Sequence, residues 1–514
     1  MSDKHWGSRL GIIAAVAGSA IGLGNFLRFP SVAAQNGGGA FMIPYFGALI
    51  LLGIPLMWVE WTTGRFGGGF GHSTAPGMFH SMWEKNRFVK YFGVIGIFGP
   101  VIIFIYYIYI ESWLLGYSLF AVTGKYAGCR SAGDFKGFLH DYIGVGKGTY
   151  FSGLTTAYVF FVATFALNLL VLYHGVRRGI ERLCKWALPV LMALGVVLMV
   201  RVMTLGTPDP LLPENNVANG FGFLWNPHWS DLLNAKVWLA AAGQIFFTLS
   251  VGIGVILTYA SYLKKDDDVA LSGLTAASAN EVAEVVLGGS IVIPAAFAFF
   301  GAAAMAEIAR SGTFNLGFVT MPQVLNQMPM SALLGFCWFA LLFLAGITSS
   351  ISLAEPAIAF LEDEFSTPRR KAVLVFGVAT FILTQPCIFF IGHGVVDELD
   401  FWAVNVCLVG FALLEVILFA WVFGMDRAWT ELHAGSDITI PRFYRFIIRY
   451  VTPLILIAIL GTWLYQEGWS SITMKGVKPE DQPYVIATRL GLLALLGLLA
   501  FLVARAWKSR EKTT

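Results

Sequence analysis

Ser19-Ala-Ile-Gly-Leu-Gly-Asn25 and Thr248-Leu-Ser-Val-Gly-Ile-Gly254 interrupt two long apolar segments, one near the start of the chain and one near its middle. Each has a Gly-x-Gly core, Gly22/Gly24 and Gly252/Gly254, flanked on both sides by residues otherwise suited to span a membrane. A helix that unwinds in hydrocarbon leaves N–H and C=O groups without partners, at several kcal/mol each. Such breaks persist only where the freed groups meet a ligand, an ion or a water-lined cavity.

The rest of the chain agrees with membrane residence. Of its 514 residues, 57% are hydrophobic and 13% charged, against about 25% charged in soluble proteins. Mean hydropathy is +0.70. Apolar segments fall near 9–35, 39–64, 89–122, 152–173, 183–204, 237–263, 270–304, 332–361, 371–392, 396–424, 446–466 and 484–506. They predict an all-α integral membrane protein of about twelve helices at roughly 20 residues per span. Segments this continuous exclude an outer-membrane barrel, whose strands alternate over ~10 residues.

Basic clusters recur in alternate loops: Lys85/Arg87/Lys90, Arg177/Arg178/Arg182/Lys185, Arg369/Arg370/Lys371 and Arg442/Arg445/Arg449, with Arg505 to Lys512 at the end. The positive-inside rule therefore puts both termini in the cytoplasm. Segments one to five and six to ten each open on an interrupted helix. With five spans per half, the second half enters from the opposite side, giving inverted repeats over about 9–204 and 237–424. A transporter core over 1–424, followed by two further helices and a tail over 425–514, is the expected division. Paired interrupted helices of this kind point to the binding site of a secondary transporter. The N-terminus also parses as a signal peptide ending at Ala15-Val-Ala17, but the apolar stretch resumes after that point and favours a spanning helix.

Several chemistries find no support. There is no Walker A loop, HExxH, GxSxG or Cys/His metal set, so neither ATP hydrolysis nor protease chemistry is indicated. Gly93, Gly96 and Gly99 read as close helix packing. The five cysteines form no CxxC pair and read as buried structural thiols.

What the apolar segments do contain is neutral and polar. Asn25 follows the first break; Gln244 and Thr248 precede the second, and Ser250 lies within it. Asn280 and Glu284, four apart, share a helix face, and Thr348, Ser349 and Ser350 interrupt the eighth segment. Amides, hydroxyls and freed carbonyls are hard, neutral oxygen donors that suit an alkali cation. Half-helix N-termini favour a carboxylate, while C-terminal carbonyls favour a cation or an ammonium. Arg28, Glu60, Glu111, Asp400 and Glu415 are charges in or beside spans and need partners or a wet pathway.

With Gly22-Leu-Gly-Asn-Phe-Leu-Arg-Phe-Pro30, Asn36-Gly-Gly-Gly-Ala-Phe41, Ile105-Tyr-Tyr-Ile-Tyr-Ile-Glu-Ser-Trp113, Gln244-Ile-Phe-Phe-Thr-Leu-Ser250 and Leu344-Ala-Gly-Ile-Thr-Ser-Ser350, the chain resembles the neurotransmitter:sodium symporters. The similarity runs from about Trp6 to the last helix. It implies the five-plus-five LeuT fold and two sodium sites. The first would use Ala20, Asn25, Thr248, Asn280 and the substrate carboxylate. The second would use carbonyls of Gly18, Ile21 and Ala345 with the hydroxyls of Thr348 and Ser349.

The resemblance further implies a central pocket. There the Leu23 and Gly24 amides and the Tyr107 hydroxyl would hold a carboxylate. Carbonyls near Ala20, Phe247 and Thr248, with Ser250, would hold an amine. Ile103, Tyr107, Phe247, Ile253, Ser349 and Leu353 would line the side-chain pocket. Arg28 and Asp400 match the outer gate, above a Tyr107/Phe247 lid, and Asp363 matches the acid of the inner gate. Its basic partner in the family maps to Asp3, with Lys4 adjacent. Glu284 matches the acid of chloride-independent members, so no chloride is expected. Ile253 stands where a bacterial member has phenylalanine, and Ile103 is larger than its valine counterpart.

The reading is a sodium-coupled importer of a neutral, aliphatic or aromatic amino acid, chloride-independent, in a bacterial cytoplasmic membrane. The expected partners are two sodium ions, an L-amino acid and the lipid bilayer, with no nucleic acid; a homodimer is left open. A sensor or uniporter of the same fold, a channel and a membrane enzyme are the alternatives, the enzyme last because no nucleophile–base set is recognisable.

Overall fold

A computed structural model describes residues 5–510, and among them no strand occurs. Ten helices are long and apolar enough to cross a bilayer: α2 Gly39–Gly68, α3 Val89–Thr123, α4 Thr155–Tyr173, α5 Val176–Met203, α7 Ala270–Met305, α8 Ser331–Glu364, α9 Arg369–Phe389, α10 Val395–Val422, α11 Phe443–Gln466 and α12 Gln482–Lys508. Two more are interrupted. Helix α1 consists of α1a Arg9–Ala20 and α1b Gly24–Gln35, bent by 46°. Helix α6 consists of α6a Ala235–Thr248 and α6b Val255–Ala260. The twelve expected segments are all present. Only α5 differs noticeably, starting at Val176 rather than 183, because Gly175 at φ +81° lets a helix restart directly after α4.

The elements form the five-plus-five repeat, α1–α5 and α6–α10, each opening on a broken helix. Helices α3 and α8 pack along much of their length, and α1a lies against α5, α7 and α8. Helix α3 is buried almost throughout, whereas α4, α5 and α12 show much of their apolar surface outward. Leu170, Trp186, Leu490 and Leu493 are among these outward residues. That distribution suits helices whose outer faces are solvated by lipid.

The two glycine pairs act differently. Gly252 and Gly254 take φ of +75° and +92°, which side chains disfavour. A methyl on Gly252 would stand 2.6 Å from the Leu408 carbonyl, and one on Gly254 2.4 Å from that of Gly96. Gly22 and Gly24 keep ordinary φ and are needed for their size. A methyl on Gly24 would meet the Phe247 ring at 2.5 Å, and one on Gly22 would meet Ser349 Oγ at 3.0 Å. The first break is therefore short, Ile21–Leu23, while the second runs from Leu249 to Gly254.

The freed backbone groups find named partners. Asn25 Oδ1 accepts from the Gly22 amide at 2.8 Å, and the Tyr107 hydroxyl from the Leu23 amide at 3.4 Å. The Ser19 carbonyl accepts from Ser250 Oγ (3.3 Å) and Ser349 Oγ (3.1 Å), which joins the first break to the second and to α8. Buried Glu60 of α2 accepts from the Gly252 amide.

Gly252→Ala and Gly254→Ala should each destabilise the fold, by ~1–2 kcal/mol for the left-handed backbone and about 1–3 kcal/mol for overpacking. Gly243→Ala, in α6a with open space beside it, should shift stability by no more than about 0.5 kcal/mol. Thermal unfolding of the purified protein in detergent compares the three; equal midpoints would contradict the assignment.

Candidate functional site

A cavity of about 240 Å³ lies where the two breaks meet. Ala20, Leu23, Gly24, Ile103, Tyr107, Phe247, Thr248, Ser250, Ile253, Ser349 and Leu353 all line it, so every pocket residue expected from the sequence reaches one space. Its floor is polar backbone and its walls are aliphatic and aromatic. It extends past Arg28 and Asp400 to Thr313, Phe314, Val396 and Asp397, at the end of the bundle away from the chain termini. The C-terminal ends of α1a and α6a and the N-terminal ends of α1b and α6b converge on it. Carbonyl and amide poles of opposite sign thus face one small volume.

Beneath the cavity sits a first cluster of neutral donors. The side-chain amides of Asn25 and Asn280 approach to 2.8 Å, and Asn280 comes within 2.9 Å of Thr248 Oγ1. The end of the Asn280 amide that faces Asn25 is also 3.3 Å from the carbonyl oxygens of Ala20 and Thr248. Four chain segments thus bring uncharged amides, a hydroxyl and two carbonyl oxygens to one point, with Asn25 presenting its Nδ2 while its Oδ1 is held by the Gly22 amide. Asn25, Thr248 and Asn280 are fully or almost fully buried.

A second cluster joins α1a to α8. Thr348 Oγ1 and Ser349 Oγ lie 3.1 and 3.0 Å from the Ala345 carbonyl. Gly18 packs directly on Thr348, where an added methyl would come within 3.3 Å of its Cβ. Ile21, whose amide bonds the Ala17 carbonyl at 2.7 Å, ends α1a beside them. Both donor sets suit a monovalent hard cation, and among the described residues no group of three His, Cys, Asp or Glu forms a metal site.

Arg28 and Asp400, expected at an outer gate, line the cavity but do not pair with each other. Arg28 donates to Gln244 Oε1 at 3.3 Å and lies over the Phe247 ring, 4.4 Å from its centroid. Asp400 instead accepts from the Tyr106 hydroxyl at 2.6 Å. The opposite end is sealed. Trp6 Nε1 donates to the Tyr259 carbonyl at 2.9 Å, and its ring meets that of Tyr259 edge-on at 5.2 Å. Arg369 holds Glu355 through two 2.6 Å bonds, and Glu355 accepts from Tyr262 at 2.8 Å. Asp363 accepts from the Ser73 amide at 3.0 Å, while Lys4 and Asp3 lie outside the described residues. The cavity thus reaches toward one end of the bundle, while these contacts close the other.

Glu284 is buried among donors from three elements: the Tyr45 hydroxyl at 3.0 Å, Gln244 Nε2 at 2.9 Å and the Thr248 hydroxyl. Polar contacts therefore run unbroken from Arg28 through Gln244 and Glu284 to Thr248 and Asn280. Tyr45 and Glu281, whose carboxylate lies 2.7 Å from the Tyr45 hydroxyl, were missed in the sequence. So were Tyr106, Asp397 and Asn405 at the cavity mouth. Asn405, the one side-chain amide in the apolar run of α10, carried a readable signal; the Ser19 carbonyl carried none.

Fold and cavity together define a membrane carrier with paired half-helices around a central site. The family model for the sodium:neurotransmitter symporters matches residues 3–135 and 138–506, and the chain belongs to that family. An uncharacterised sodium-dependent transporter of Methanocaldococcus jannaschii is 33% identical over 466 residues, covering 90% of each chain. One of Bacillus subtilis is 29% identical over 88% of this chain and 96% of its own. The sodium- and chloride-dependent glycine transporter 2 of Xenopus laevis is 25% identical over 91% of this chain and 65% of its own. The solved structure of MhsT in complex with L-phenylalanine superposes with a TM-score of 0.74 at 28% identity, covering 89% of this chain and 99% of that one. The family comprises sodium-coupled transporters, not enzymes.

Glu284→Ala should take away the acceptor of the Gln244 and Thr248 donors in a dry interior, at about 1–3 kcal/mol for each group left unpaired, while Tyr45 keeps Glu281. Glu284→Gln keeps acceptor capacity and should melt closer to wild type. Thermal midpoints in detergent measure the difference, and an Ala variant as stable as the Gln variant would refute the buried hub.

Proposed function

We propose that the protein imports a neutral amino acid together with two sodium ions by alternating access. The observation that carries this reading is that the first oxygen cluster and the cavity share Ala20, Asn25 and Thr248. An ion seated on those donors lies beside whatever carboxylate the cavity holds. Ion and substrate then complete each other's coordination, which couples their binding directly.

The amino acid's poles fit the broken helices. The Leu23 and Gly24 amides, at the start of α1b, and the Tyr107 hydroxyl offer donors to a carboxylate. Carbonyls around Ala20, Phe247 and Thr248, with the Ser250 hydroxyl, offer acceptors to an ammonium. Ile103, Ile253 and Leu353 leave an apolar wall for an aliphatic or aromatic side chain, in keeping with the phenylalanine bound by MhsT. The second ion would sit among the Gly18, Ile21 and Ala345 carbonyls and the Thr348 and Ser349 hydroxyls. There it would fasten the broken first helix to α8. Each inward charge contributes ~2.3 kcal/mol per 100 mV, enough for two ions to drive substantial accumulation.

Glu284 supplies a fixed negative charge next to the first ion, and transport is therefore independent of chloride. Arg28 and Asp400 close the outer end once substrate is seated. Asp363 secures the inner end with a basic group of the N-terminal segment, for which Lys4 is the candidate. The basic loops place both termini on the cytoplasmic side of the cell membrane, and residues 425–514 add two helices to the core.

Binding of each of the twenty amino acids, with and without sodium, tests the function. Asn25→Ala, Asn280→Ala and Thr348→Ala should each lower sodium-dependent affinity tenfold or more, equivalent to about 1.4 kcal/mol. Wild-type affinity in all three would end the site assignment. Ile253→Phe should turn selectivity toward smaller aliphatic substrates, read from competition against a radiolabelled amino acid. Uptake into proteoliposomes with gluconate replacing chloride should proceed unchanged; a loss would exclude the role given to Glu284.

A further inference from the structure

The turn between α4 and α5 builds a second, separate recess at the sealed end of the bundle. It is a groove of about 440 Å³ lined by Arg177, Arg178, Arg182, Lys185 and Glu181, with Gly7 of the N-terminal segment on one side. Glu181 is already engaged: it accepts from the Gly7 amide at 2.7 Å, Ser8 Oγ at 3.3 Å and Lys185 Nζ at 2.6 Å. Arg177, Arg178 and Arg182 have no ion pair among the described residues, and all three are exposed. One carboxylate and four cations leave the groove strongly positive.

Orientation in the membrane needs only that cations stand near this end of the bundle. It does not require four of them to face one recess that holds a single carboxylate, already bonded to Lys185. Orientation therefore leaves the clustering unexplained. The flanks of the groove are interfacial: Tyr173 at the end of α4 and Trp186 early in α5 are exposed amphipathic rings, the residue types that settle at headgroup level. Arg370 stacks on Tyr173, 5.1 Å from its centroid, and adds a further cation at that edge. A phosphate group entering here would find guanidinium forks suited to its oxygens, with acyl chains running along the apolar faces below.

We infer that this groove binds the phosphodiester headgroup of an anionic phospholipid. Arg177, Arg178 and Arg182 hold the phosphate, and Tyr173 and Trp186 mark the level of the interface. The site also touches the segment that seals the inner end. Arg177 lies across Gly7, where an added methyl would come within 2.9 Å of its Nε, and Glu181 bonds Gly7 and Ser8. A bound headgroup would add weight to the closed position of that segment. The inference concerns lipid binding and does not depend on which solute the central cavity carries.

Native mass spectrometry of the full-length protein, delipidated in a neutral detergent and titrated with phosphatidylglycerol, tests it. Wild type should retain phosphatidylglycerol in preference to phosphatidylcholine. R177Q/R178Q/R182Q should bind it on the order of a hundredfold more weakly, from about 1 kcal/mol per basic residue. R505Q/K508Q, which removes charge from α12 at the same end, should bind as wild type. Should the triple variant fail to fold, Arg182→Gln alone is expected to lose about fivefold. Equal retention by wild type and the arginine variants overturns the site, and so does an equal loss in R505Q/K508Q. Displacement of the lipid by inorganic phosphate would make it a free-anion site and overturn the lipid assignment.

Discussion

Everything in this molecule depends on satisfying the peptide groups released where two helices come apart in hydrocarbon. No solvent is available at that depth, so each released N–H or C=O needs a built partner or a transported one. The Ser19 carbonyl takes the hydroxyls of Ser250 and Ser349, the Gly22 amide takes Asn25, and Glu60 takes the Gly252 amide. These bonds tie α1, α6, α8 and α2 into one assembly. The carbonyls of Ala20 and Thr248 instead face the side-chain amide of Asn280, in the neutral cluster beneath the cavity.

Neutral donors are the economical choice for such a site. A carboxylate in the coordination shell would bind the ion strongly whether or not substrate had arrived, and binding that favours both states equally drives no change between them. Here the Glu284 carboxyl group sits beside the neutral cluster and bonds it through Thr248. The same carboxylate reaches Arg28 through Gln244. Polar contacts thus connect the cavity mouth to its floor, with no carboxylate in the neutral cluster of Asn25, Thr248 and Asn280 itself.

The two ends of the bundle are held by different means. The sealed end uses buried, geometrically demanding contacts: Arg369 forked onto Glu355, Tyr262 and Tyr259 bonded to α8, and Trp6 laid on Tyr259. Breaking a buried ion pair by removing one partner is strongly destabilising, so this network resists opening until its members move together. At the other end, Arg28 rests on Phe247 and Asp400 on Tyr106, each held by a single contact of this kind rather than by a network. The dense network and the sparser contacts thus lie at opposite ends of the bundle.

The sequence alone determined the class of fold, the number of spans and the position of both breaks, because hydrocarbon permits so few backbone solutions that composition and a pair of Gly-x-Gly interruptions leave little choice. It also supplied the pocket lining and most of the neutral donors, through segments whose spacing matches a known family. What it could not distinguish was why each glycine is there: Gly252 and Gly254 serve their left-handed φ, whereas Gly22 and Gly24 serve the ring and hydroxyl packed against them. Nor did it show that Tyr45 and Glu281 join Glu284, that Arg28 and Asp400 are apart, or that three arginines on one turn share a groove. Most are relations between side chains dozens to hundreds of residues apart, and the arginines, though near in sequence, could not be seen to face one recess with the N-terminal segment. Only the packing of the helices against one another settles them.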